Sequence, residues 1–166
     1  YGYNGADVSA CYGGQTQWGS NANAHSKFLL ADDFTLTGAA LVREMEFYAY
    51  QTGSSTTSTF TGCYVSIYDT EPIDSTVVPV WSSDTINCMT STSWTGIYRT
   101  SSTAFTDTTR PIMRIVAGIN TTLPAGNYWV SVGFTGSIAS GPWGTPRAVL
   151  DEVSTGNAIQ YLPSEG

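Results

Sequence analysis

The residues able to do chemistry are few. The sequence has a single histidine, His25, in Asn23-Ala24-His25-Ser26-Lys27. A Ser–His–Asp triad would have to run through it, yet no Gly-x-Ser-x-Gly elbow occurs anywhere. The same count rules out a His-rich zinc site. Carboxylates are more plentiful but badly spaced. Asp32-Asp33 and Asp151-Glu152 are adjacent, and neighbouring strand residues point to opposite faces, so neither pair can flank one glycosidic bond. There is no Gly-rich phosphate loop, and a cysteine nucleophile would lack a histidine partner. These residues predict a protein with no catalytic site. Asp69, Glu71 and Asp74 share one turn, which reads as a solvated acidic loop; structural calcium is the one cofactor it leaves room for.

Aromatic residues carry the alternative to catalysis. There are 5 Trp and 10 Tyr, and an exposed flat ring can stack on the apolar face of a sugar. Trp143 stands in the loop sequence Ser140-Gly141-Pro142-Trp143-Gly144-Thr145-Pro146, with Arg147 close enough to donate to hydroxyls. Trp129 alternates out of phase with Tyr128 and Val130, which predicts an outward side chain. Trp143, Arg147 and Trp129 are therefore the candidate ligand-binding residues. Any one Trp is also a natural packing residue of a sheet protein, since large aromatics are mostly buried.

The elements that must position these residues are strands. No stretch of a dozen residues keeps helical spacing without Gly, Pro or Ser/Thr clusters. Alternation recurs instead. Leu41, Met45, Phe47 and Ala49 share one face of the run 41–50, with Arg43 as an exception. Met113 and Ile115 share the apolar face of 110–116, and Tyr128, Val130, Val132 and Phe134 that of 126–134. Further strands are expected at 27–36, 61–69, 77–86, 96–105, 147–153 and 157–162. About nine short strands at regular spacing predict an all-β, antiparallel β-sandwich of the jelly-roll type. Residues 26–166 form a single domain in this reading. Residues 1–25, rich in Gly, Asn, Gln and Tyr, form an N-terminal arm.

Composition points outside the cell. Charged residues make up only 11% of the 166, with a net charge of -7. Clustered Lys and Arg for nucleic acid or anionic lipid are missing. No apolar run reaches the roughly 18 residues of a membrane helix. The chain begins at Tyr1, as a mature form or an excised domain would. Cys63 and Cys88 fall opposite each other if the intervening turn centres near Ser75, which predicts a disulfide and an oxidising compartment. Cys11 is left over, either free and buried or bridged to another chain. The acceptor pattern Asn120-Thr121-Thr122 is also present.

Several segments together resemble a family: Ala31-Asp32-Asp33-Phe34-Thr35-Leu36, Phe47-Tyr48-Ala49-Tyr50-Gln51-Thr52-Gly53, Asp107-Thr108-Thr109-Arg110-Pro111-Ile112, Leu123-Pro124-Ala125-Gly126-Asn127-Tyr128-Trp129-Val130 and Ala139-Ser140-Gly141-Pro142-Trp143. In this order they look like the jelly-roll accessory modules of secreted and surface-anchored bacterial proteins, carbohydrate-binding modules among them. The likeness spans about Ser26 to Leu162. It implies a non-catalytic binding or adhesion domain with a glycan or protein ligand. The pattern runs on into a final strand where this sequence stops at Gly166; either the strand lies further on or a neighbouring subunit supplies it. Edge pairing into a homo-oligomer, and a structural subunit of a filament or surface layer, form the second expectation.

Overall fold

The structure, a computed structural model, describes residues 29–74, 76–99, 106–144 and 158–161. The expected arm over 1–25, the strand expected at 147–153, and His25, Cys11 and Arg147 lie outside these residues. The described residues form strands β1 (Leu29–Leu36), β2 (Ala40–Tyr50), β3 (Phe60–Tyr68), β4 (Trp81–Ser82), β5 (Met89–Tyr98), β6 (Pro111–Leu123), β7 (Gly126–Gly136), β8 (Trp143–Gly144) and β9 (Ile159–Tyr161). They make two antiparallel sheets, one ordered β4-β3-β7-β1-β9 and the other β5-β6-β2-β8. The fold is an all-β sandwich, and no described helix is long and apolar enough to cross a membrane.

The core lies between the sheets. From β7 come Tyr128, Val132 and Phe134, and from β6 Met113, Ile115, Ala117 and Ile119, each pointing inward at every second residue. Phe134 is met edge-on by Phe60 of β3 at 5.7 Å and by Phe47 of β2 at 6.1 Å between ring centres. One expectation about β2 changes. Its register with β6 shifts between Val42 and Glu44. The shift reverses the phase of the strand, so Val42 joins Met45, Phe47 and Ala49 at the core. Leu41 is left 49% exposed. The same irregularity lets Arg43 sit in an otherwise inward series without entering the core.

Other boundaries moved as well. The strand expected over 77–86 shrinks to Trp81–Ser82, and the one expected from Gly96 begins instead at Met89. Met89–Tyr98 shows no clear alternation because it is an edge strand rich in Ser and Thr, with little apolar surface to bury. Gly96 takes a φ of 83°. It lies where β5 and β6 lose register between Trp94 and Tyr98, so it interrupts the strand rather than starting one.

The expected Cys63–Cys88 disulfide is not formed. Both are free thiols, although they are neighbours as expected. The Cys88 Sγ is turned onto the Cys63 carbonyl oxygen, 3.2 Å away, and not into a bond with the other sulfur. Their mutual hydrogen bond acts on the two thiols in opposite senses. It raises Cys63 far above the ordinary thiol range, and burial adds to that. It lowers Cys88 to about 6 against the opposing effect of burial, with help from Ser83. Linkage then runs in two directions. Cys88 contributes stability above the unfolded thiol range and loses it as pH falls through about 6. Cys63 contributes below that range and loses it as pH rises beyond.

Iodoacetamide labelling of the folded, reduced protein should therefore reach half its plateau at Cys88 near pH 6, with Cys63 resisting throughout; peptide mapping across a pH series checks this. In denaturant titrations, Phe134→Ala should cost about 3–5 kcal/mol. Gly136→Ala should also be clearly destabilising, because a Cβ there would overlap the amide of the fully buried Gln51. Gly38→Ala, with open space around the new methyl, should be close to neutral.

Candidate functional site

Because Met45, Phe47 and Ala49 are drawn into the core, the residues between and beyond them face out. Glu44, Glu46, Tyr48 and Tyr50 line the outer face of the four-stranded sheet. Register brings partners from β6 beside them: Glu46 opposes Val116 and Tyr48 opposes Arg114. On the far side of β6, Ser93 of β5 opposes Arg114 and Ser91 opposes Val116. Trp143 of β8 pairs directly with Tyr50, so it belongs to the same face. It is a strand residue rather than the loop residue the sequence suggested.

Charge on this face is matched within the sheet. Arg114 grips Glu46 with two hydrogen bonds, its Nε at 2.8 Å from Oε2 and its Nη2 on Oε1. Tyr48 donates its hydroxyl to the same carboxylate at 3.4 Å. The Glu46 bond, then the charges of Glu46, Tyr48 and Glu44, hold the Arg114 guanidinium still more firmly protonated. At the next row the Arg99 guanidinium lies over the Tyr50 ring, 5.5 Å from its centre. Tyr50 is only 6% exposed, so it supports its neighbours from beneath. Tyr48 and Trp143 remain half-buried and present part of their rings. The Trp143 indole N–H points at Ser140 Oγ, 3.5 Å away. Gly141, at φ 90°, lies against the indole, where a Cβ would stand 2.7 Å from Cδ1.

Trp129 faces outward as expected, but on the other sheet. It stands in a row with Asp33 of β1 and Tyr68 of β3. Trp129 and Trp143 therefore lie on opposite faces of the sandwich and do not form one site. Arg147, the third candidate, lies outside the described residues. Trp81 packs against the core and Trp94 is 39% exposed at the β5 edge. Sequence reasoning missed Glu46, Tyr48, Tyr50, Arg99 and Arg114. For the β2 residues the signal was present: once 45, 47 and 49 are assigned inward, 44, 46, 48 and 50 must share the opposite face. The partners from β6 and from Arg99 depend on register, which carries no such local mark.

One carboxylate of the acidic turn is held locally. Asp74 accepts the Thr76 amide at 2.7 Å and its hydroxyl at 2.6 Å, which lowers its pKa. Among the described residues no three His, Cys, Asp or Glu side chains gather closely enough to hold a metal. No family model, no curated protein and no solved structure matches this chain.

The Arg114–Glu46 pair is exposed on both sides, at 40% and 43% of its side-chain area. Surface pairs of this kind contribute about 0–1 kcal/mol. Glu46→Gln and Arg114→Met should each leave the urea midpoint nearly unchanged.

Proposed function

We propose that this protein is a non-catalytic extracellular binding module, and that the outer face of its four-stranded sheet takes a neutral glycan. The observation that carries the reading is the arrangement around Trp143 and Tyr48. Two partly exposed rings flank the Glu46–Arg114 ion pair, with the Arg99 guanidinium over the Tyr50 ring in the next row. Rings supply stacking surface, and paired charges supply donors and acceptors for hydroxyls without a strong net field. A polyanion would want a cluster of unpaired cations, and a hydrophobic ligand would not need the ion pair.

The wider reading is a jelly roll. Strand pairs nest, β1 with β9, β2 with β8, β3 with β7 and β5 with β6. Successive pairs alternate between the sheets, as in a long antiparallel ribbon rolled up on itself. This supports kinship in form with accessory modules of secreted and surface-anchored proteins. The low charge of the sequence and its Ser/Thr-rich surface support a location outside the cell or on its surface.

A second reading, self-assembly into a filament or surface layer, is favoured by one flank. β5 closes its sheet with Met89–Tyr98, a strand without a single charged residue, and natural edges are usually guarded by charge or Pro. Trp94 and Ile97 are exposed on it, and Ile73, Val78, Val80 and Ile86 are exposed along the connection that precedes it.

Two measurements separate the readings. On a glycan array the protein should bind a subset of neutral oligosaccharides. Trp143→Ala and Tyr48→Ala should each weaken the best of them at least tenfold in a tryptophan-fluorescence titration, with unchanged folding by circular dichroism. Absence of any glycan binding, or binding indifferent to both changes, defeats the first reading. Sedimentation velocity at rising concentration tests the second: a monomer throughout counts against assembly, and association abolished by Trp94→Lys supports it.

A further inference from the structure

We propose that Cys63 and Cys88 are an oxidation site, which a small-molecule disulfide closes into a covalent staple between the two sheets. Cys63 lies on β3 of the five-stranded sheet, and Cys88 immediately precedes β5 of the four-stranded one. The Cys63 carbonyl accepts the Cys88 amide at 2.9 Å and the Cys88 thiol at 3.2 Å. The two residues are thus in direct backbone contact, as the short span of a disulfide requires. The approach is fixed from several sides. Asn87 Oδ1 accepts the amides of Cys63 and Met89, each at 3.0 Å, and the Cys88 carbonyl accepts Gly118 N of β6 at 2.8 Å. Closing the bond turns the Cys88 sulfur away from the carbonyl to which it donates.

The two thiols are unequal in the way an exchange reaction requires. Cys63 has no exposed surface, whereas Cys88 is only partly buried. An oxidant meets Cys88 first, and Cys88 is the thiol that ionises more readily. Its thiolate attacks one sulfur of the oxidant R–S–S–R, breaks that bond and expels one thiolate. With Cys88 in the mixed disulfide, the Cys88 hydrogen bond and charge that held the Cys63 proton are gone. Cys63 loses that proton by way of solvent to the expelled thiolate as its sulfur attacks the Cys88 sulfur, and the second R–S⁻ leaves and takes up the proton Cys88 had released. Two protein thiols and one R–S–S–R become one protein disulfide and two R–SH, and two electrons pass to the oxidant.

The staple would close a separation of 25 residues. That segment contains β4 and the exposed Ile73, Val78, Val80 and Ile86. Oxidation thus locks the flank on which the two sheets meet, independently of the glycan-binding face on the other side of β2.

Fully reduced protein incubated with oxidised glutathione, quenched by alkylation and digested, should yield a Cys63–Cys88 cross-linked peptide with Cys11 left alkylated. The unfolding midpoint should rise by roughly 5–10 °C, and the rise should vanish in Cys88→Ser. Full alkylation of both cysteines after oxidation, a lasting glutathione adduct on Cys88, or a cross-link through Cys11 would each overturn the proposal. The peptide map is read on the unaltered chain, so its outcome does not depend on a variant folding.

Discussion

Phe134 sits where both sheets meet, with Phe60 edge-on from its own sheet and Phe47 edge-on from the other. That three-ring contact fixes which residues of β2, β3 and β7 face inward. A strand has only two faces, so each inward residue sends its neighbours out. With Phe47 and Ala49 held against the core, Glu46, Tyr48 and Tyr50 have one place to go. The outer face of the four-stranded sheet is in this sense a consequence of the core. A polar and aromatic surface appears there because the interior has taken the other half of the strand.

What that face can do depends on pairings across strands. Arg114 belongs to β6, yet its partner is Glu46 of β2, 68 residues away in sequence. Arg99 reaches Tyr50 from the end of β5, and Trp143 arrives from the two-residue strand β8. None of these residues makes a surface alone. Together they put stacking and hydrogen-bonding groups side by side, with like numbers of positive and negative ends in the central contact. The opposite face has its own aromatic row, Tyr68, Trp129 and Asp33, but without a guanidinium in the row. The two faces thus differ in composition, and among the described residues only the four-stranded one joins guanidiniums to its rings.

The edges follow a different rule. β4 is two residues long and so offers little to a partner, which is one way of blunting an edge. β5 is long and uncharged, protected mainly by its register shifts near Met89 and Gly96. Cys63 and Cys88 lie between these two edges, where the chain passes from one sheet to the other. A flank with apolar exposure, an unguarded strand and a pair of thiols concentrates the properties that a core or a polar face would suppress.

The alternation at 110–116 and 126–134, the lack of helical spacing and the turn residues between runs settled the all-β class by themselves, because period two is a local property. The outward placement of Trp129 was legible for the same reason. The neighbourhood of Cys63 and Cys88 was legible too, since a turn between two runs brings their ends together; whether sulfur bonds to sulfur depends on a side-chain rotation that spacing does not encode. Tertiary structure alone decided the rest. The phase reversal between Val42 and Glu44 exchanged Leu41 for Val42 at the core, and the strand in the polar run Met89–Tyr98 formed because β6 offered an edge. Trp129 and Trp143 were sent to opposite sides of the sandwich by the order of strands in two sheets. Register and sheet order are set by contacts between residues far apart in sequence, so no local pattern could have shown that Trp143 would lie beside Tyr50.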